Sequence, residues 1–290
     1  MKINNLKYFF DFKEDIKSNI SEVKVIYTDL DGTMLNQRGC LIMDDEDNYY
    51  FGALEQLKNL SSKNIDVVLV SGRSKTQLKY NAQMMNLKNY ISEHGSEVVY
   101  DLEREVHATF DKNKLKYSFA DLGPDLEALV GLLKKAFPMQ IHYEAAWNRG
   151  RYANILFLGE IDLNKANKLL EKNGYGDSVI INNGPTALFP TNLNVNKVYI
   201  YNLMPKGIDK SIGVKLDKKI RKFSRKNCIA LGDSLEDLKM AGEVSYLFLM
   251  NNNFHEEKNI MEALPGYENV YISKEKMNRG WAEVISYLFG

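Results

Sequence analysis

Hydrophobic positions in this chain alternate between two kinds of pattern. Short runs rich in β-branched and aromatic residues read as buried strands: Val23 to Thr28, Ile65 to Val70, Tyr90 to His94, Asn227 to Gly232 and Ser245 to Met250. Between them, apolar residues recur three and four apart. This predicts helices over Tyr50–Ser62, Lys75–Met85, from Lys210 onward, over Leu235–Ala241, and near Glu256 and Trp281. Alternating strands and helices predict an α/β fold built on a doubly wound, parallel, Rossmann-like sheet. Residues 101–203 carry a pattern of their own. Helices are predicted over Pro124–Ala136 and Asp162–Lys172, and strands over Met139–Tyr143, Tyr152–Leu158, Ser178–Ile181, Thr186–Phe189 and Lys197–Tyr201. That is an α+β insertion, roughly αββ twice with one added strand, interrupting a core of residues 23–100 and 204–290. Residues 1–22 read as a charged, amphipathic helical extension with Leu6, Phe9, Phe10 and Ile16 as docking positions.

Composition narrows the function classes. With 290 residues and 44% of them hydrophobic, two domains with sizeable cores are expected. Thirty-eight basic residues balance 38 acidic ones, so no net field draws the chain to nucleic acid or to an anionic membrane. No protein partner is indicated either. Cys40 and Cys228 make no disulfide framework, and Cys228 reads as a buried thiol in an apolar strand. His94, His107, His142 and His255 lack zinc-site spacing. No stretch is apolar for long enough to span a bilayer and no secretory h-region is evident, so a cytoplasmic protein is expected.

The candidate chemistry sits where the strands stop. The first ends in Asp29-Leu30-Asp31-Gly32-Thr33. Residues two apart on a strand share a face about 6–7 Å apart. Carboxylates that close repel, by ~4 kcal/mol at 4 Å separation and an effective dielectric near 20. A divalent cation is the usual compensation, although Asp-Gly alone is also a common turn dipeptide. The second strand ends in Ser71-Gly72-Arg73, which by itself reads as a strand-to-helix turn with an N-cap. Another ends in Gly232-Asp233-Ser234, with Asp237 following; alone, these acids would complement a helix dipole. Pro205 to Ser211 offers two cations, Lys206 and Lys210.

Taken in order, the DxDGT of Asp29–Thr33, the strand-terminal Ser71, Lys210 and the GDxxxD of Gly232–Asp237 resemble the four signatures of haloacid dehalogenase-like phosphohydrolases. More than a hundred residues separate Ser71 from Lys210. This resembles the Cof-type, sugar-phosphatase-like branch, in which a C2-type cap domain is inserted at that point. The resemblance implies a Mg²⁺-dependent phosphatase acting on a small phosphorylated metabolite, with a sugar phosphate as the expected class. Asp29 would be the nucleophile that forms an aspartyl-phosphate, and Asp31 the acid and then base, in a partly desolvated site. Mg²⁺ would be held by Asp29, Asp233 and the main-chain carbonyl of Asp31, with Asp237 steering a metal-bound water. Ser71, Gly72, Thr33 and Lys210 would receive the phosphate, and Lys210 would also pair with Asp29. Lys210 is preferred to Lys206 on motif register.

Glu144, Asn148, Arg149 and Arg151, near a predicted hairpin of the insertion, and Asn252 are candidates for substrate specificity. For any single one of the four insertion residues, a place on a solvated hairpin rim is the favoured reading. Two other readings use the same residues: a hexose phosphomutase, and a non-catalytic phosphosugar-binding protein. The chain departs from the family pattern at Ser211, often Gly, at Glu236, commonly Asn, and at Asn251-Asn252-Asn253, commonly Gly-Asn-Ala. These changes leave the four acids in place.

Overall fold

The structure, a computed structural model, describes residues 6–111, 124–186, 188–252 and 258–290. Asn253, His255, Glu256 and the first five residues of the 1–22 extension lie outside the described residues. Along the chain the strands are β1 (Val25–Thr28), β2 (Asp66–Val70), β3 (Tyr90–Ser92), β4 (Glu97–Tyr100), β5 (Glu105–Ala108), β6 (Ile141–His142), β7 (Ile155–Gly159), β8 (Ser178–Pro185), β9 (Tyr199–Pro205), β10 (Cys228–Gly232), β11 (Tyr246–Leu249) and β12 (Val270–Ile272). The α-helices are α1 (Phe9–Ser18), α2 (Gly52–Ser62), α3 (Lys75–Met84), α4 (Pro124–Ala136), α5 (Ala145–Asn148), α6 (Leu163–Lys172), α7 (Lys210–Arg221), α8 (Leu235–Leu238), α9 (Lys258–Ala263) and α10 (Met277–Phe289). No described helix is long and apolar enough to cross a membrane.

Two units divide the chain. The first lies within Met1–Arg73, Gln77–Thr109 and Asp209–Gly290; the second comprises Ser74–Thr76 and Phe110–Ile208. The first unit holds an eight-stranded sheet in the order β12-β11-β10-β1-β2-β3-β4-β5. Its strands run parallel from β12 through β3. β1 and β10 are buried along their whole length, as expected where helices cover both faces of a parallel sheet. Alternation then sorts side chains between two cores. Ile26, Leu69, Ile229 and Leu231 join Trp281 and Phe248 on one face. Val25, Tyr27, Val68 and Ala230 join Val214 and Leu247 on the other. Successive strands run outward from β1 through β2 to β3, and on its other side from β10 through β11 to β12. The order therefore reverses between β1 and β10, the switch point at which open α/β sheets leave a ligand crevice.

The predicted parallel sheet carries an antiparallel edge. β4 turns back on β3, and β5 pairs antiparallel with β4. β12 and this hairpin were not expected. Helix Leu235–Ala241 is α8 followed by a 3₁₀ turn at Lys239–Gly242.

In the amino-terminal segment, Phe9, Ile16 and Ile20 are buried while Phe10 is exposed. The Phe9 ring meets Phe248 and Tyr287 edge-on, with centroids 5.4 and 5.9 Å apart. Tyr8 forms a parallel bridge with Ile272, and the Lys7 carbonyl accepts from the Ile272 amide at 2.9 Å, covering the β12 edge.

The second unit has a four-stranded antiparallel sheet in the order β6-β7-β9-β8. Leu129 and Leu133 of α4, Phe137 just after it, and Ala166 and Leu170 of α6 pack with Ile155, Phe157, Ile180 and Leu203 from the sheet. The separate strand expected at Thr186–Phe189 does not form at Thr186, Leu188 or Phe189, and Ala187 lies outside the described residues. β8 instead runs on to Pro185 through an irregular register between Asn182 and Pro185.

Candidate active site

β10, β1 and β2 are neighbours in parallel register, so their carboxyl ends stand side by side about 4.8 Å apart. The first residues beyond those ends are Asp233, Asp29 and Ser71. The Asp29 amide donates to the Leu231 carbonyl at 3.0 Å, which carries the sheet pairing up to the carboxylate itself. Gly32 has φ +81°, and a Cβ there would stand 2.2 Å from Asp233 Oδ2. Only glycine lets the turn after Asp31 pass this close to the second acid.

Lys210 is the first residue of α7, whose N-cap Asp209 accepts from the amides of Ser211 and Ile212. Placed there, the Lys210 ammonium donates to Asp29 Oδ1 at 2.6 Å and to Asp237 Oδ1 at 2.7 Å. All three side chains are almost fully buried. The rival Lys206 pairs with Glu171 at 3.0 Å. The other oxygen of Asp237 accepts from the amides of Asp233 and Ser234 at 3.0 Å and from the Ser234 hydroxyl at 2.7 Å. Both oxygens of Asp237 are therefore committed to holding Lys210 and the Asp233 loop.

One ammonium faces three carboxylates, and the imbalance shows in their proton affinities. Burial pushes the Asp29 carboxyl up to about 7, against the pull of Lys210. Burial, followed by the charges of Asp29 and Asp237, pushes Asp233 well above the ordinary carboxylate value. Asp237 goes the other way: burial opposes ionisation, but Lys210 and the hydrogen bonds it receives hold its carboxyl low. Lys210 is raised, because its two carboxylates outweigh its burial. Ligand oxygens of Asp29, Asp233 and Asp237 lie within 4.8 Å of one another. A hard-oxygen donor set with surplus negative charge fits a small divalent cation.

The remaining sequence candidates fall in several places. Thr33 is buried with its hydroxyl 3.5 Å from Asp233 Oδ1. Ser71 is buried and its Oγ accepts from the Arg73 amide at 3.2 Å. Gly72 lies against the His94 ring, and a Cβ there would come within 2.4 Å of Nε2. Asp31 does not occupy the desolvated setting expected of it. Its side chain is 53% exposed and is held by both arms of the Arg73 guanidinium, at 2.8 and 2.5 Å. Asn252 is held by three hydrogen bonds within the protein. Its amide donates to the Gly32 carbonyl at 2.5 Å and to Asp233 Oδ2 at 3.0 Å, and accepts from the Met277 amide at 3.0 Å.

In the second unit, Glu144 caps α5 through the Ala146 amide. Asn148 is buried, fastening α5 to β7 by exchanging hydrogen bonds with the Leu156 carbonyl and amide. Arg149 is exposed and Arg151 is buried. The predicted hairpin there is a short helix and loop.

Two contributors went unread in the sequence. Arg73 was passed over as part of a turn. Glu93 and His94 both adopt positive φ, at 48° and 58°. Their amides donate to the carbonyls of Arg73 and Ser71 at 3.1 Å, bracing the loop beyond β2. Neither residue carries the glycine or asparagine signal that would announce that backbone.

Residues 26–269 match the family model described as haloacid dehalogenase-like hydrolase. The chain belongs to this family. Within it, the chain is similar to a glucosyl-3-phosphoglycerate/mannosyl-3-phosphoglycerate phosphatase of Persephonella marina (strain DSM 14350 / EX-H1). The two are 25% identical, over 90% of this chain and 95% of that one. Among solved structures, a haloacid dehalogenase-like hydrolase from Bacteroides thetaiotaomicron shares the fold at TM-score 0.62 and 18% identity, covering 92% of this chain and 100% of the other. The sucrose-phosphatase of Synechocystis sp. PCC6803, solved with sucrose and phosphate, matches at TM-score 0.60 and 15% identity, covering 92% and 98%.

Proposed function

We propose that this haloacid dehalogenase-like hydrolase is a Mg²⁺-dependent phosphatase acting on a small phosphorylated sugar. One observation carries the reading: a buried carboxylate, Asp29, is paired with a buried lysine between two strand tips that present a second acid and a hydroxyl. In the proposed reaction an Asp29 oxygen attacks phosphorus and the bond from phosphorus to the substrate oxygen breaks. Asp31 supplies the proton that the departing alkoxide takes. Asp31 then takes a proton from water as that water attacks the aspartyl-phosphate, and the bond to Asp29 breaks, returning the enzyme and inorganic phosphate.

Ser71 Oγ accepts from a backbone amide, so its own proton can be directed to a phosphoryl oxygen. Lys210 offsets the repulsion between Asp29 and an arriving phosphate dianion. Mg²⁺, held by Asp29, Asp233 and the Asp31 carbonyl, would neutralise surplus negative charge and polarise the phosphoryl group. Asp237 keeps Lys210 and the Asp233 loop in place and steers a metal-bound water. The sugar is supported by the phosphatase relative, whose named substrates are glycosyl phosphoglycerates, and by the sucrose-phosphatase neighbour.

The test is phosphate release from p-nitrophenyl phosphate and a panel of phosphorylated sugars, with Mg²⁺ and with a chelator. Wild type should need the cation and turn over at least one sugar phosphate. Asp29→Asn should lose on the order of 10³-fold or more. Equal turnover by the two proteins would overturn the reading.

A further inference from the structure

The Arg73 side chain is fixed at both ends. Its amide donates to Ser71 Oγ and its carbonyl accepts from Glu93, so its backbone is anchored to the proposed phosphate-binding loop. At the far end Nη1 donates to Asn81 Oδ1 of α3 at 3.1 Å, while Nε and Nη2 grip the two oxygens of Asp31. With Asp31 half exposed, the pair contributes little to stability. What it provides is orientation, because a planar fork on both carboxylate oxygens removes the rotation that a half-exposed aspartate would otherwise keep.

We propose that Arg73 is a positioning residue for the hydrolysis, setting the Asp31 carboxyl in the orientation from which it serves the leaving oxygen, with Asn81 aiming the guanidinium. This rests on the phosphatase reading above. It differs from a role in gripping phosphate, because the Nε–Nη2 edge of the guanidinium is already turned to Asp31 and Nη1 to Asn81.

The experiment uses leaving-group dependence. An alkyl phosphate such as a hexose 6-phosphate needs its leaving oxygen protonated, whereas p-nitrophenolate departs with little help. The quantity measured is kcat/KM, which covers only the steps up to departure of the leaving group. Arg73→Lys keeps the charge but loses the fork, and should reduce kcat/KM for the hexose phosphate by at least ~10-fold and for p-nitrophenyl phosphate by less than ~3-fold. Asn81→Ala should show the same inequality at smaller size, and carries the test if Arg73→Lys does not fold. Equal losses on both substrates, or weakened inhibition by inorganic phosphate, would overturn the proposal, the latter by making Arg73 a phosphate ligand. A wild type that hydrolyses neither substrate, or an Asp29→Asn protein as active as wild type, would instead sink the phosphatase reading, so the two failures are distinguishable.

Discussion

Lys210 shares its ammonium between two buried carboxylates, while a third, Asp233, has, among the described residues, side-chain hydrogen bonds only from the Asn252 amide and a distant threonine hydroxyl. Asp233 is therefore the acid whose charge most needs an added cation. Asp233→Ala should raise the Mg²⁺ concentration for half-maximal activity by roughly 10-fold or more while lowering the maximum, as Mg²⁺ titration of phosphate release would show. At this scale Asp29 and Asp233 were legible because each stands directly after an apolar run, where a parallel sheet aligns its ends. The Arg73–Asp31 pair was not. Its members lie in loops beyond different strands, and which partner a guanidinium takes depends on loop geometry. The contacts of Asn252 were hidden for the same reason: its partners Gly32, Asp233 and Met277 lie 220, 19 and 25 residues away.

Among elements, the loop after β1 shows how one side chain can organise a segment without regular structure. Asp44 is buried, and its Oδ1 accepts from the amides of Glu46 and Asn48 while Oδ2 takes both arms of Arg279 from α10. Burial works against ionisation, but the amides and the guanidinium prevail and hold the carboxyl below its usual 3.8. Its contribution to stability is therefore complete above that ordinary value and is lost as pH falls through the lower folded one. Asp44→Ala should cost about 1–3 kcal/mol at pH 7, and the gap to wild type should narrow below about pH 4 in denaturant melts recorded across pH 3–7. The β4–β5 hairpin marks where element reading failed. Its turn passes through Asp101, Leu102 and Glu103, all at positive φ, with none of the Asn-Gly or Asp-Gly dipeptides that betray such turns. The sequence accordingly predicted no strand over Glu97–Tyr100.

For the molecule as a whole, the first unit's sheet is packed on both faces and the second unit carries a core of its own. Two-layered burial of this kind was visible in the chain as runs of uninterrupted apolar residues. The number of edge strands was not, since short strands such as Val270–Ile272 carry too few positions to show a period. Phe9, 1% exposed, is the main anchor of α1 on the first unit. Phe9→Ala should lower the unfolding free energy by about 3–5 kcal/mol in urea titration.

The same ring has a consequence for how the chain is made. Its two aromatic neighbours, Phe248 and Tyr287, are translated more than two hundred residues later. On a ribosome α1 emerges early with its apolar stripe unmatched, and the loop that must close to bury it spans most of the polypeptide, a slow and entropically costly event. Until that closure the flank of β12 stays open to pairing with other chains.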